Sequence, residues 1–163
     1  MKYLVKTLLA VSALSLVVSS VLAAELASRA ALTLEIAKRI SAAAEAEAMK
    51  NKWTVAIAVV DEGGHLVHLA KIDETQYGSI DVAIQKAQTS AAFKRPTKVF
   101  EDAIAAGRNA IIGLKGALPL EGGLPIIWEG KVIGAVGVSG AKSVEDAQVA
   151  KAGTDALPGI LGK

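Results

Sequence analysis

The most regular pattern of apolar and polar positions lies in residues 121–140, where β-branched side chains are interspersed with glycines. The pattern predicts two strands joined by a turn at Glu129-Gly130. Six of these twenty residues are glycine. A glycine inside a good strand pattern indicates that another group lies close against the backbone. We expect that group to be a helix, another subunit or a flat ligand.

The second strand of this pair should have two faces of different size, because side chains alternate along a strand. The residues expected on one face are Val132, Gly134, Val136 and Val138. Those expected on the other face are Ile133, Ala135, Gly137 and Ser139. The second face narrows to small side chains and leaves a shallow slot. The chain has four alanine-rich elements, so we favour a helix over a ligand as the occupant of this slot.

A second hairpin precedes this one in the chain. Residues 53–60 are an apolar run of β-formers, which predicts a central strand covered on both faces. Residues 61–64, Asp-Glu-Gly-Gly, have the composition of a turn. Residues 65–71 then form the returning strand.

Apolar stripes at helical spacing predict four helices. Thr33 is the expected N-cap of the first, which should end near Asn51, and Ser79, Thr97 and Ser143 are the expected N-caps of the others. Residues 94–96, Lys-Arg-Pro, should end the second helix, because a residue before proline disfavours the helical conformation. Between the third helix and the glycine-bearing hairpin, residues 111–112 are compatible with a short strand.

The element order is therefore αββααβββα. Two hairpins favour an α+β fold, with an antiparallel sheet of about five strands and helices on its faces. A doubly wound parallel sheet would need strict alternation of strands and helices, which this order does not have.

The first 23 residues have the features of a secretory signal peptide. Lys2 and Lys6 precede an apolar run, and small residues before Ala24 suit a signal peptidase. The alternative is a membrane anchor, for which the apolar run is short. We therefore predict cleavage after Ala23, a single domain over residues 24–163, and a periplasmic or secreted location.

Charge and composition limit the classes of function that the sequence supports. Without Lys2 and Lys6, the 18 basic residues fall to 16, which equals the 16 acidic residues. A neutral chain gives no support to nucleic-acid binding. The chain has no cysteine, which excludes disulfides, thiolate metal sites and redox thiols.

The chain has two histidines, His65 and His68, both on the returning strand of the first hairpin. Their odd separation predicts that the side chains point to opposite faces, so one chain should not hold a metal ion with both. Either could serve alone as an axial ligand to a haem iron, or meet a partner across a subunit interface. The alternative is that both only form hydrogen bonds near solvent.

Carboxylates flank the same hairpin, at Asp61, Glu62, Asp73 and Glu74. Paired carboxylates can perform acid–base catalysis or bind a hard cation, but clustered acids in turns are more often solvated turn residues. The sequence has no nucleophile elbow, Walker motif or dinucleotide-binding fingerprint.

Several segments together resemble the GlcG/HbpS-type haem-binding proteins. They are residues 59–67 of the first hairpin, the helix at 79–91, Arg95-Pro96-Thr97, residues 122–126, residues 133–140 and residues 146–153. The similarity extends from about Leu32 to Leu157. One departure is that the family often has Arg-Met-Asp-Gly where this chain has Lys71-Ile72-Asp73-Glu74.

The resemblance implies a profilin-like antiparallel sheet, assembly into homo-oligomers and haem binding by some members. It implies no settled enzymatic activity, and members differ in the haem ligand. Our haem-binding candidates are His65 and His68, either as the axial iron ligand, with Lys71 and Lys86 as partners for the propionates. We expect a bound ligand near the histidine-bearing hairpin and its subunit contacts.

Three readings of function follow. The first is an exported haem-handling or redox-sensing protein that acts as a homo-oligomer. The second is an exported enzyme acting on a small organic acid or peroxide, although no convergent acid–base pair is visible. The third is a non-catalytic small-ligand module that signals to a membrane sensor protein.

Overall fold

The computed structural model describes residues 25–163, so the predicted signal peptide lies outside the described residues. The elements, in chain order, are α1 (Leu34–Lys50), β1 (Ala56–Asp61), β2 (Leu66–Lys71), α2 (Gly78–Phe93), α3 (Lys98–Ala105), a 3₁₀ helix (Asn109–Gly113), β3 (Gly123–Trp128), β4 (Lys131–Ser139), α4 (Ser143–Asp155) and α5 (Leu157–Ile160). Within residues 25–163, no helix combines the length and hydrophobicity that a membrane span requires.

The four strands form one antiparallel sheet in the order β2-β1-β4-β3. The α+β class and the antiparallel sheet were predicted correctly, but the strand count is four, not about five. The difference lies at residues 111–112, which belong to the 3₁₀ helix. Local hydrogen bonds use their backbone groups there, from Ile111 N–H to Arg108 O and from Leu114 N–H to Ile111 O.

The sheet carries a different kind of core on each face. Large branched side chains such as Ile57, Val59 and Val136 cover one face and pack beneath α1, α4 and α5. The other face is mostly alanine and meets the alanine stripe of α2, which consists of Ala83, Ala87 and Ala91. Small side chains on both surfaces let α2 lie close to the sheet.

Gly137 is the point of closest approach between α2 and β4. A Cβ atom at this position would lie 2.0 Å from the carbonyl oxygen of Ala83 and 2.5 Å from the nitrogen of Ala87. The backbone of α2 thus occupies the slot on the narrow face of β4. The prediction that an alanine-rich helix fills the slot is confirmed.

Of the four expected N-cap hydroxyl groups, one is confirmed and three are wrong. Thr33 accepts a hydrogen bond from Ile36 N–H, as a cap does. Thr97 precedes α3 without making a side-chain cap. Its hydroxyl accepts the Gly123 N–H at 2.9 Å instead, and its own N–H donates to Gly123 O. Ser79 is the second residue of α2, and Ser143 is the first residue of α4. Neither serine is therefore the N-cap of its helix.

Replacing Gly137 with alanine should destabilise the protein strongly. The added methyl group would collide with the backbone of α2, which cannot move without separating the helix from the sheet. We expect a loss of about 3 kcal/mol or more in the free energy of unfolding, measured by urea denaturation. Gly78→Ala is the matched control, because nothing lies within 4 Å of its added Cβ. A similar loss in both variants would contradict this account.

Glu74 occupies the position where the resembled family often has glycine. Its φ angle is +62°, in the left-handed region that favours glycine. Glu74→Gly should therefore stabilise the protein by about 1 kcal/mol, seen as a higher midpoint of chemical unfolding. Glu62, in the first hairpin turn, does not have a positive φ. Its change to glycine should bring no gain, and an equal gain there would refute the strain argument.

Candidate functional site

A β-bulge changes the geometry of the histidine-bearing hairpin. Val59 pairs with His68, whereas the next residue of β1, Val60, pairs with Leu66, so Val67 is an extra residue in β2. Such an insertion reverses the alternation of side chains beyond it. Directly paired residues share a face of the sheet. His68 therefore lies on the face of Val59, which is the face covered by α1.

His65 lies on this same face. Its backbone C=O accepts the N–H of Asp61, and Asp61 shares a face with Val59 because the two are separated by two positions in β1. The prediction that His65 and His68 point to opposite faces is wrong, because an odd separation across a bulge places both on one side. Both histidines therefore lie on one face of the edge strand β2.

The imidazole of His65 is oriented by Asp61. The distance from His65 Nδ1 to Asp61 Oδ2 is 3.3 Å, and the His65 side chain is 82% exposed. The other carboxylate oxygen of Asp61 accepts the N–H groups of Gly63 and His65, each at 2.9 Å. When Nδ1 donates to the carboxylate, Nε2 is left with a lone pair directed to solvent.

Asp61 is suited to remain ionised in this position. Partial burial works against the charge, but the backbone N–H groups of His65 and Gly63 outweigh it and lower the pKa of the Asp61 carboxyl. An ionised carboxylate behind the imidazole makes Nε2 a better donor to a metal ion. The sequence had marked Asp61 only as one of several carboxylates, because its partner became evident only with the turn geometry.

The first candidate lysine, Lys71, lies on the opposite face of the sheet from the two histidines. Lys71 pairs with Ala56, which belongs to the α2 face, so its side chain is directed away from the histidines. Its Nζ donates to Ile72 O and lies 5.8 Å from the centre of the Tyr77 ring. The structure therefore separates Lys71 from the imidazoles by the thickness of the sheet.

Lys86 is buried, with 2% of its surface exposed. Its Nζ donates to Asp146 Oδ2 at 2.8 Å and to Val138 O at 2.9 Å. A lysine held in this way presents no charge at the surface. We therefore do not include Lys86 among the residues that could bind the haem propionates. Sequence reasoning missed its partner Asp146, because the two residues are distant in the chain and each appears in an ordinary helical pattern.

The Lys86–Asp146 pair connects α2, α4 and the end of β4. Burial raises the pKa of the Asp146 carboxyl, against the opposing effects of Lys86 and of the Ala141 N–H that donates to Asp146 Oδ1 at 3.0 Å. The ammonium group of Lys86 therefore favours the ionised form of Asp146 against the cost of its burial. We interpret the pair as a structural connection.

The remaining acidic residues do not form a metal centre. Within residues 25–163 no group of three or more histidine, cysteine, aspartate or glutamate side chains is arranged to hold a metal ion. A metal ion already bound in a macrocycle would need only one or two ligands from the protein. The face of β2 that carries His65 and His68, which we call the histidine face, can supply them.

The fold and this hairpin define a small α+β protein that presents an aspartate-oriented histidine at the edge of an antiparallel sheet. Residues 32–155 match the family described as "Haem degrading protein HbpS-like". The chain belongs to this family.

Individual relatives agree with this assignment. The chain is 42% identical over 108 residues to Protein GlcG of Escherichia coli strain K12, which covers 66% of this chain and 81% of GlcG. It resembles the structure of a double mutant of Streptomyces reticuli HbpS, with a TM-score of 0.73 and 32% identity over 83% of this chain and 97% of that one. A structure of PduOC in complex with haem has the same fold, with a TM-score of 0.72, 24% identity, and coverage of 78% and 95%.

Lys86→Met should destabilise the protein at neutral pH by about 3 kcal/mol or more, because it leaves the Asp146 carboxylate buried without a counter-charge. The pKa of Asp146 should rise further, so the folded state binds a proton more tightly than the unfolded chain. Stability should then increase as the pH falls from about 7 to about 5, towards protonation of Asp146. Urea unfolding at several pH values measures both effects.

The double variant Lys86→Met/Asp146→Leu is the control for this prediction. It removes both charges, and it should recover most of the lost stability and lack the gain at low pH. A double variant as unstable as Lys86→Met would show that packing, and not the unpaired charge, accounts for the loss.

Proposed function

We propose that this protein binds haem and acts in haem handling or redox sensing. The observation that carries the proposal is the His65–Asp61 pair on a hairpin of a chain that belongs to the HbpS-like family. The description of that family names haem. An exposed imidazole with an oriented Nε2 is the ligand that a haem iron would take from such a surface.

In this proposal, His65 Nε2 would bind the haem iron, and Asp61 would act as a positioning residue. Haem would supply the iron and the porphyrin, and the protein would supply one imidazole. His68 lies on the same face and is the alternative ligand, or a second one.

We further propose that the protein acts as a homo-oligomer. The strands β2 and β3 are the two edges of the sheet, and an uncovered edge is a surface that favours pairing with another chain. Each edge carries an exposed apolar side chain, Leu66 in β2 and Ile127 in β3. Association at the β2 edge would cover the histidine face and exclude water from a bound haem.

Export to the periplasm or the cell exterior, and signalling through a membrane sensor protein, complete the proposal. Export rests on the apolar segment after Lys2 and Lys6 and the small residues near Ala23. A second candidate function is turnover of the bound haem, because the family description names haem degradation. After simple binding, the absorbance of the haem complex persists, whereas turnover makes it decline with time.

A titration of the protein, without residues 1–23, with hemin should shift and sharpen the Soret band. His65→Ala should abolish the shift or weaken binding at least about tenfold, because it removes the iron ligand. Asp61→Asn should weaken binding about tenfold while keeping the turn, since the amide oxygen still accepts the two N–H bonds. His68→Ala reports whether a second imidazole binds iron.

Asp73→Asn is the matched control for Asp61→Asn, because it removes a carboxylate from the next turn, and its affinity for hemin should be unchanged. An unshifted Soret band in the wild type would overturn the haem proposal. Full binding by His65→Ala would overturn only the assignment of the ligand. Progressive loss of the band under a reductant and oxygen would favour turnover over simple binding.

A further inference from the structure

An exposed apolar segment lies between α3 and β3, outside the two cores of the sheet. We call residues 108–120 the apolar segment; it contains the 3₁₀ helix and the loop that follows. Its side chains of Ile112, Leu114 and Leu120 are 71%, 40% and 41% exposed. None of these three belongs to either core of the described residues. Grouped exposure of large apolar side chains is typical of a surface that meets a partner.

The backbone of the apolar segment is held in place by α2 and α3. The hydroxyl group of Thr89, which is fully buried on α2, donates to Gly116 O at 3.2 Å and accepts the Leu118 N–H at 2.9 Å. The Glu101 carboxylate on α3 accepts the Glu121 N–H at 2.6 Å, directly after the segment. Ile111 is only 8% exposed. The apolar side chains are therefore directed outwards by an anchored backbone.

The apolar segment carries positive charge and no negative charge. Residues 103–120 contain Arg108 and Lys115 but no aspartate or glutamate. Both cations are exposed, and within residues 25–163 neither lies in an ion pair. They flank the 3₁₀ helix in the chain, one before Ile112 and one after Leu114. Each is therefore free to contact an anion next to the exposed apolar side chains.

The surrounding region adds to this positive charge. Residues 94–121 contain five basic and three acidic residues, whereas the rest of the chain from residue 24 contains eleven basic and thirteen acidic residues. Two of the three carboxylates, Asp102 and Glu121, lie 2.7 Å and 3.8 Å from Lys98 Nζ. A chain that is neutral as a whole from residue 24 thus has a positive side, and the apolar segment belongs to it.

This combination favours an anionic membrane surface over a second copy of the same segment. A two-fold contact would bring Arg108 and Lys115 of both copies together, without a carboxylate from the segment between them. Like charges that meet across an interface oppose association. A membrane with acidic lipids supplies negative charge at its headgroups and an apolar layer directly beneath them.

We propose that the apolar segment docks this protein reversibly on a membrane surface that contains acidic phospholipids. Arg108 and Lys115 would contact the headgroup phosphates, and Ile112 and Leu114 would enter the boundary between headgroups and acyl chains. Each cation near an acidic surface contributes about fivefold to the affinity. The proposal goes beyond haem binding and does not depend on it.

Co-sedimentation with lipid vesicles tests the proposal. The protein without residues 1–23 is used, so that the apolar run at its N-terminus cannot account for binding. It should bind vesicles of phosphatidylcholine and phosphatidylglycerol in equal parts, and it should not bind vesicles of phosphatidylcholine alone. Binding should weaken in about 0.5 M salt, because salt screens the attraction between the cations and the headgroups.

Two substitutions separate the apolar and the charged contributions. Ile112→Ser should weaken binding about tenfold, because it removes methyl and methylene groups that would enter the membrane. Lys115→Glu should weaken it about tenfold or more, because it replaces an attraction by a repulsion.

Each substitution has a matched control elsewhere on the surface. Val144→Ser removes an apolar side chain that is 63% exposed at the start of α4. Lys38→Glu makes the same charge change on the exposed side of α1. Both controls should bind the acidic vesicles as the wild type does.

The mass of the assembly, measured by light scattering, tests the alternative that the apolar segment joins copies of this chain. Ile112→Ser and the wild type should have the same mass in solution. A smaller assembly in Ile112→Ser would make the segment an interface between subunits and would overturn the proposal.

Three results with vesicles would also overturn it. One is no binding of the wild type to acidic vesicles. Another is equal binding to both kinds of vesicle, which would show adsorption without recognition of charge. The third is an equal loss of binding in each variant and its control. Binding that needs acidic lipid, and that Ile112→Ser and Lys115→Glu weaken while their controls do not, would support the proposal.

Discussion

The close approach of α2 to the sheet is the constraint on which the other features depend. A helix can lie this near to a strand only where neither surface carries bulk, and here glycine and alanine provide that condition. Gly137 gives the helix backbone room, and Gly123 does the same at β3, where a Cβ atom would lie 2.4 Å from Lys86 O. The same contact positions Lys86 in the interior, next to Val138 and Asp146.

The same closeness explains why an ion pair is found in so small a core. Lys86 lies on the sheet side of α2, where the alanine surface leaves space for a long side chain to reach Val138 O and Asp146. Gly122 keeps that space free, since a Cβ there would lie 2.8 Å from Lys86 Nζ. The glycines of this segment therefore serve the protein's own packing first.

Two irregularities in otherwise regular strands change which face of the sheet the neighbouring side chains occupy. Val67 interrupts the pairing of β2, and Ile133 interrupts that of β4. Each inserted residue reverses the alternation of the side chains beyond it, and in β2 this places the two histidines on one face. The pattern of residues along the sequence predicted the strands correctly. It gave the wrong side-chain faces next to these two insertions, because nothing in the residue types marks an inserted residue.

The sequence by itself determined the α+β class, both hairpins, the turn at Glu129-Gly130 and the occupancy of the narrow face by an alanine-rich helix. These follow from the periodicity of apolar residues and from turn chemistry, which act over short distances. Only the tertiary structure decided the face of each histidine, the burial of Lys86 against Asp146 and the different core on each side of the sheet. These depend on which residue lies opposite which across strands and helices, a relation that local patterns do not contain.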